Sequence, residues 1–77
     1  MEFETLQKII AEILNYRPEE ITPETRFVDD LGADSLDLFQ IVLEIEQTYE
    51  IHIEDSQIES IVTVSDAVEA IKKAVNG

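Results

Sequence analysis

The spacing of apolar residues predicts an α-helix near the start of the chain. Apolar side chains recur there at steps of three and four residues, which places them along one side of a helix. Pro18 lacks a backbone donor and favours extended geometry at Arg17, so the predicted helix covers residues 3–15. Its apolar stripe consists of Phe3, Leu6, Ile9, Ile10, Ile13 and Leu14.

A long loop is predicted over residues 16–33. This stretch contains both prolines and one of the two glycines of the chain, and it shows no sustained helical or strand period. Loops of this length are uncommon inside a compact domain and usually have a function. Four apolar side chains are expected to anchor the loop on the core: Ile21, Phe27, Val28 and Leu31.

The second predicted helix begins after Asp34. Asp34 can cap it, and Asp37, three residues later, can complete an acidic variant of the capping box. Leu36, Phe39 and Leu43 make the apolar stripe wider than one buried face requires, so some of them are expected to stay in contact with solvent. The expected core face consists of Leu38, Ile41, Val42, Ile45 and Tyr49.

The last third of the chain predicts a loop and two further helices. Ile51 and Ile53 alternate with polar residues, but no second strand is available to pair with them, so we expect an anchored loop. Asp55 and Ser56 can cap a short helix that continues through Ile58 to Ile61. Thr63 with Asp66 gives a capping-box start to the last helix. The apolar face of that helix consists of Val64, Ala67, Val68, Ile71, Ala74 and Val75.

These elements predict an all-α fold. It is a small irregular four-helix bundle with three main helices, one short helix and a long loop between helices one and two. At 77 residues, and without an internal repeat or a flexible linker, the chain is expected to be one domain over residues 1–77.

The charge of the chain restricts its partners. Eighteen acidic and five basic residues give a net charge of −13, and no Lys or Arg lies between Phe27 and Ile71. Nucleic acid is excluded as a partner because its phosphates require clustered basic residues, whereas basic protein surfaces are favoured. Strong self-repulsion favours a monomer. No apolar run could span a membrane and the first residues lack a signal-peptide pattern, so a cytoplasmic protein without membrane partners is expected.

The composition argues against an enzyme. There is no cysteine, so the chain has no thiol nucleophile and no cysteine-based zinc site. The single histidine, His52, is expected to be an exposed side chain. The acids around Gly32 do not form an EF-hand, because the twelfth loop position falls on Gln40 or Ile41 instead of glutamate. No specific metal site is predicted.

One segment resembles a known family. Residues 27–37, which read FVDDLGADSLD, closely resemble the prosthetic-group attachment segment of bacterial acyl carrier proteins, and the likeness continues through residues 63–68 and over essentially the whole chain. The resemblance implies a non-catalytic carrier whose Ser35 is esterified to 4′-phosphopantetheine from coenzyme A, with Asp34 and Leu36 as the flanking motif. The thiol of the attached arm would hold acyl groups as thioesters.

The resemblance also implies a docking surface on the second helix. Its expected partners are a phosphopantetheinyl transferase and fatty acid synthesis enzymes with basic patches. Acidic side chains would attract these patches while leucines add apolar contact. The candidate partner-binding residues are Asp34, Leu36, Asp37, Leu43, Glu44, Glu46 and Glu50.

A pocket for the acyl chain between the helices is a third implication. Phe39, Gln40, Glu50 and Glu54 stand where family members commonly have Val, Glu, Gly and Pro. These departures bear on the size of the pocket, on one partner-facing charge and on the shape of the turn before helix three. The candidate lining consists of Leu38, Phe39, Ile41, Val42, Ile53 and Ile61.

Three functions are compared. The leading hypothesis is a carrier of acyl intermediates in type II fatty acid biosynthesis. A discrete carrier for polyketide, peptide or specialised lipid assembly would use the same attachment chemistry and differ in its helix-two contacts. An unmodified acidic interaction module, such as a nucleic-acid mimic, would occupy basic surfaces and carry no group at Ser35.

Overall fold

The computed structural model describes residues 2–76. Four α-helices follow one another along the chain: α1 (Glu2–Leu14), α2 (Ser35–Tyr49), α3 (Asp55–Glu59) and α4 (Val64–Asn76). Helix α1 packs against α2 and α4. Within the described residues the only strand-like pairing is an isolated bridge between Arg26 and Thr63. The predicted all-α bundle with one short helix is confirmed.

The ends of α1 and α2 are set by residues in the left-handed region. Asn15 follows α1 with a φ of 64°, and Glu50 caps α2 with a φ of 55°. Asparagine adopts this conformation more readily than most residues because its short side chain can bond to the local backbone. The amide of Tyr16 donates to the carbonyl of Ala11 and closes the last turn of α1 at 3.0 Å.

The loop between α1 and α2 contains a 3₁₀ turn, Pro18–Glu20, which the sequence pattern did not predict. The side-chain amide of Gln7 fastens this turn to α1 by donating to the carbonyls of Pro18 at 2.8 Å and Ile21 at 2.9 Å. Of the four expected loop anchors, Ile21, Phe27 and Leu31 are buried. The expectation for Val28 is wrong, because its side chain is 58% exposed.

The short helix α3 differs from its prediction at both ends. Its N-cap is Glu54, whose backbone N–H donates to Oε1 of Gln57 at 3.1 Å, so neither Asp55 nor Ser56 caps it. The helix ends at Glu59 and does not reach Ile61. None of the residues of α3 is fully buried, which makes this helix the most weakly packed of the four.

One cluster of buried side chains forms the core. In α2 the buried residues are Ile41, Val42 and Ile45, while Leu38 and Tyr49 pack at the edge. Of the expected α4 face, Val64, Ala67 and Ile71 are buried and Val68 packs partly buried against the core, but Val75 is 54% exposed. The largest fully buried side chains are Phe27, Leu6, Ile10, Ile21, Ile41, Ile45, Ile53, Ile71 and Val64.

Candidate functional site

Ser35 is the first residue of α2 and its side chain is exposed. The preceding residue, Asp34, is extended, and its Oδ1 accepts a hydrogen bond from the Asp37 amide at 2.9 Å. The Asp34 amide in turn donates to Oδ2 of Asp37 at 3.3 Å. This reciprocal box confirms the predicted cap and fixes the backbone on both sides of the serine, so the Ser35 hydroxyl is presented at a defined corner of the surface.

The start of α2 suits a phosphodiester. Among the described residues, no hydrogen bond uses the backbone amides of Ser35 or Leu36. Unused amides at a helix N-terminus lie at the positive end of the helix dipole and can donate hydrogen bonds to an anion. An exposed hydroxyl beside two such donors is therefore compatible with the attachment of a phosphate ester.

The loop before Ser35 is held by a tight set of hydrogen bonds. The amide of Ala33 donates to the carbonyl of Phe27 at 2.9 Å, and Gly32 occupies the left-handed region with a φ of 69°. Oδ2 of Asp30 accepts the Arg26 amide at 2.8 Å and lies 3.5 Å from the Arg26 Nε. The bond from the Arg26 amide, assisted by the Arg26 side chain, lowers the pKa of Asp30.

The same loop pairs with the junction between α3 and α4. The Phe27 amide donates to the carbonyl of Val62 at 3.0 Å, and the Val64 amide donates to the carbonyl of Thr25 at 2.9 Å. These bonds connect residues far apart in sequence, and no local motif predicts them. The base of the serine loop and the start of α4 therefore form one hydrogen-bonded unit.

Asp66 closes this unit from the α4 side. Its Oδ2 accepts the backbone amides of Thr63 and Val62, both at 3.0 Å, and its own amide donates to the Thr63 hydroxyl at 3.1 Å. The predicted Thr63 and Asp66 box is thus present, with Val62 as an additional donor. The bonds from Thr63 and Val62 lower the pKa of Asp66 from its ordinary value of 3.8.

The outer face of α2 exposes large apolar side chains. Leu36 is 73% exposed, Phe39 is 54% exposed and Leu43 is 42% exposed. This confirms that the wide apolar stripe of the helix is only partly buried. Around these side chains lie three exposed acids, Asp34, Glu44 and Glu50, and the partly exposed Asp37.

Glu46 differs from the other acidic candidates. Its side chain is only 21% exposed, and its Oε2 accepts the Ile53 amide at 2.8 Å. The same oxygen lies 3.3 Å from Nδ1 of His52, which is itself 79% exposed as the sequence predicted. A partner that binds Glu46 would have to compete with these contacts within the chain.

The candidate acyl-pocket residues do not all lie together. Ile41, Val42, Ile53 and Ile61 are buried in the core. Leu38 is packed against the core from its edge, and Phe39 lies on the outside of α2. A surface cleft of about 110 Å³ between α3 and α4 reaches Ile61. An acyl chain could therefore reach Ile41, Val42 and Ile53 only if a helix moved. The helix that is most weakly packed is α3.

Neither a metal-binding cluster nor a membrane-spanning helix lies in the described part of the chain. Over residues 2–76, no group of three His, Asp or Glu side chains is arranged to hold a metal ion. The same residues contain no helix with the length and apolar character needed to cross a membrane.

Comparison with known proteins identifies the class to which this fold belongs. A family model described as the phosphopantetheine attachment site matches residues 4–71, so the chain is a carrier domain for this prosthetic group. Three bacterial proteins named acyl carrier protein align over 70 residues and 91% of this chain. They come from Helicobacter pylori at 47% identity, Wolinella succinogenes at 43% and a Sulfurovum species at 41%, with 90%, 92% and 93% of their own lengths covered.

Solved structures agree with this result. A Mycobacterium tuberculosis protein assigned as an acyl carrier protein has a TM-score of 0.88 and 34% identity, covering 95% of this chain and 97% of that one. The apo doublet acyl carrier protein from prodigiosin biosynthesis shares the fold, with a TM-score of 0.81 at 22% identity over 94% of this chain and 35% of that one.

The chain belongs to the acyl carrier protein family. It is accordingly a non-catalytic carrier with a covalently attached 4′-phosphopantetheine. The expectation that the chain is not an enzyme is confirmed.

Proposed function

We propose that Ser35 is the attachment residue and that the chain carries acyl intermediates between the enzymes of type II fatty acid biosynthesis. The observation that carries the proposal is the exposed Ser35 hydroxyl at the capped start of α2. The acyl carrier proteins that align with nearly the whole chain support it. The proposed location is the cytoplasm, and the proposed working form is a monomer because the net charge of −13 opposes self-association.

The residues around Ser35 are proposed to hold the phosphodiester at the base of the phosphopantetheine arm and to leave the rest of the arm free. The box between Asp34 and Asp37 keeps the backbone rigid, and the amides of Ser35 and Leu36 offer donors to the phosphodiester. The stretch between Phe27 and Ile71, which contains Ser35, has no Lys or Arg to pair with the phosphate. When bound, the group supplies the terminal thiol that this cysteine-free chain lacks, on which acyl groups are held as thioesters.

Partners are proposed to bind on α2. They are a phosphopantetheinyl transferase and fatty acid synthesis enzymes with basic docking patches. The exposed acids Asp34, Glu44 and Glu50 provide long-range attraction, while Leu36 and Leu43 provide contact area. Electrostatic steering accelerates encounter, and screened surface charges permit fast release, which suits a carrier that must visit several enzymes.

Shelter for the acyl chain is proposed between α2 and α3. Leu38 and the buried residues Ile41, Val42, Ile53 and Ile61 would line the space that opens when α3 moves outward. Displacing α3 is expected to cost less than displacing the other helices, because none of its residues is fully buried and Ile58 is its one apolar side chain packed against the core.

The attachment site is tested by intact-mass measurement. The purified apo chain is incubated with coenzyme A, Mg²⁺ and a broad-specificity phosphopantetheinyl transferase. Wild type is expected to gain one phosphopantetheine and Ser35→Ala none. Ser56→Ala, which removes another exposed hydroxyl at the start of a helix, is expected to gain the group as wild type does. A folded apo chain that gains no mass would refute the proposal in favour of an unmodified interaction module.

The pathway is tested separately with purified fatty acid synthesis enzymes of Helicobacter pylori. The modified wild-type chain is expected to support elongation of an acyl group with these enzymes, and Ser35→Ala is expected to be inactive. A modified chain that none of these enzymes elongates would favour a discrete carrier of another assembly pathway.

A further inference from the structure

The hydroxyl of Tyr49 is a buried polar group without a partner. Tyr49 is the last residue of α2, and its ring packs against the edge of the core. Its oxygen is closed off from solvent, and no atom of the described residues forms a hydrogen bond with it. A buried hydroxyl that is left unpaired costs free energy that a phenylalanine at the same position would not cost. The folded chain alone therefore gives no physical reason for a tyrosine here.

The other tyrosine of the chain shows how a hydroxyl in this core is satisfied. Tyr16 lies just after α1, and its ring is also partly buried at the edge of the core. Its hydroxyl donates to the backbone carbonyl of Leu31 at 3.1 Å. The two tyrosines therefore differ in whether the fold supplies a hydrogen-bond partner, and Tyr16 is a matched reference for Tyr49.

Tyr49 lies on the side of α2 that is assigned to the acyl pocket. At 3.6 residues per turn, its position around the helix axis falls between those of Leu38 and Val42, about 20° from each. It lies about 60° from Glu46, whose carboxylate binds the backbone just before α3, and about 140° from Glu44, which lines a cleft with α1. The ring is therefore on the side of α2 that faces the segment leading into α3.

The hydroxyl is also far from the attachment residue. Tyr49 follows Ser35 by fourteen residues and Leu38 by eleven, which correspond to about 21 Å and about 16 Å along the helix axis. Leu38 is the candidate pocket residue nearest to Ser35 in the sequence. An acyl chain that enters the pocket near Leu38 would bring its distal carbons to Tyr49, while oxygens close to its thioester would stay near the entrance.

We infer that the Tyr49 hydroxyl binds an oxygen near the distal end of an acyl chain. The ligand is a fatty acyl thioester with a hydroxyl or keto group at or near its last carbon. The hydrogen bond pairs the Tyr49 hydroxyl and also pairs the distal oxygen, which is costly to bury beside apolar side chains such as Val42 and Ile45. This inference rests on the proposed function and adds a substrate class and the residue that selects it.

The first measurement uses the unmodified chain and needs no acyl group. Thermal unfolding is compared for wild type, Tyr49→Phe and Tyr16→Phe, each variant lacking one hydroxyl. Tyr49→Phe is expected to melt at the temperature of wild type or above it, because the lost hydroxyl was unpaired. Tyr16→Phe is expected to melt about 4 to 8 °C lower, because its bond to Leu31 is lost. An equal loss in Tyr49→Phe would indicate a bound water as the permanent partner and would overturn the inference.

The second measurement uses the loaded chain. A broad-specificity phosphopantetheinyl transferase attaches ω-hydroxydecanoyl or undecanoyl phosphopantetheine from the corresponding coenzyme A thioester, and intact mass verifies the loading. The undecanoyl chain has a methyl group in place of the distal hydroxyl. Loaded with ω-hydroxydecanoyl, wild type is expected to melt about 4 to 8 °C above Tyr49→Phe. Loaded with undecanoyl, the two proteins are expected to melt together or in the reverse order, because no hydrogen bond can form.

The comparison of chains decides whether the distal oxygen is the ligand. A melting difference between wild type and Tyr49→Phe that is the same for both chains would overturn the inference. A preference of wild type for 3-hydroxydecanoyl over ω-hydroxydecanoyl would also overturn it, because the bound oxygen would then lie near the thioester. Tyr16→Phe is the control variant, and its loss of stability is expected to be the same with every chain.

Failure of this inference can be distinguished from failure of the proposed function. Absence of a mass gain at Ser35 would refute the proposed carrier function and the inference together. A loaded chain whose stability is indifferent to Tyr49 would keep the carrier function and remove only the role of this hydroxyl.

Discussion

Two phenylalanines of this chain allow the same substitution to be made in opposite environments. Phe27 is 1% exposed and anchors the loop that precedes Ser35, whereas Phe39 is 54% exposed on the outer face of α2. Phe27→Leu removes buried ring atoms and leaves a partly filled space, at an expected cost of about 1.5 kcal/mol. In a domain of this size, that loss lowers the melting temperature by about 6 to 12 °C.

Phe39→Leu is the control because it makes the identical chemical change on the surface. About half of the Phe39 ring is already in water, and leucine has the better helix propensity, so the two effects nearly cancel. The expected change in the free energy of unfolding is within about 0.5 kcal/mol of zero. Thermal and urea unfolding are followed by circular dichroism at 222 nm for both variants in the same 0.15 M NaCl buffer.

The two substitutions also test whether the anchoring of the loop by Phe27 affects the modification of Ser35. Loosening the anchor should disturb the bond from the Ala33 amide to the Phe27 carbonyl, and thus the path of the chain into Ser35. Phe27→Leu is therefore expected to slow phosphopantetheine transfer, while Phe39→Leu keeps the stability of wild type. Equal melting temperatures for the two variants, or a larger loss for Phe39→Leu, would refute this account of the loop.

Two further predictions concern the backbone around the site. Gly32→Ala is expected to cost about 1 to 2 kcal/mol in urea unfolding, because the φ of 69° at Gly32 is unfavourable for a residue with a Cβ, even though the space around it is open. Asp66→Asn is expected to cost about 1 kcal/mol at pH 7, since a neutral amide is a weaker acceptor for the Thr63 and Val62 amides. The folded pKa of Asp66 lies below 3.8, so its contribution is complete above the unfolded pKa and is lost as the pH falls through the folded value. The difference in stability between wild type and Asp66→Asn should therefore disappear in acid, and a difference that is constant down to pH 2 would contradict it.

Both ends of α1 and the first residues of α2 and α4 could be predicted from the sequence to within about one residue. The apolar period of these helices is sustained, and α2 and α4 begin at reciprocal boxes, Asp34 with Asp37 and Thr63 with Asp66, whose geometry is determined by residues three apart. Local rules suffice there because both partners of each interaction belong to the same turn.

The features that were missed depend on tertiary contacts. Val28 is as apolar as the other expected loop anchors, yet its side chain is exposed while those of Phe27 and Leu31 are buried. The pairing of Phe27 with Val62 joins distant segments through backbone atoms, which leave no pattern in the side chains. The importance of Ser35 was implied by resemblance to a family, since a serine at a helix start is also common for structural reasons alone.

Periodicity also could not decide the role of Phe39. A wide apolar stripe shows that a helix has more apolar residues than one buried face needs, but it does not say which residues are in excess. The structure resolves this by turning Ile41, Val42 and Ile45 inward and Phe39 outward.

Ser35 and Leu43 lie on one unbroken helix, eight residues apart. The rise of an α-helix places them about 12 Å apart along its axis. An enzyme that engages both must keep its own apolar recess at a matching distance from the entrance to its active site. Enzymes of unrelated fold and chemistry that share this carrier would therefore need the same distance between apolar recess and active-site entrance, because α2 fixes that distance.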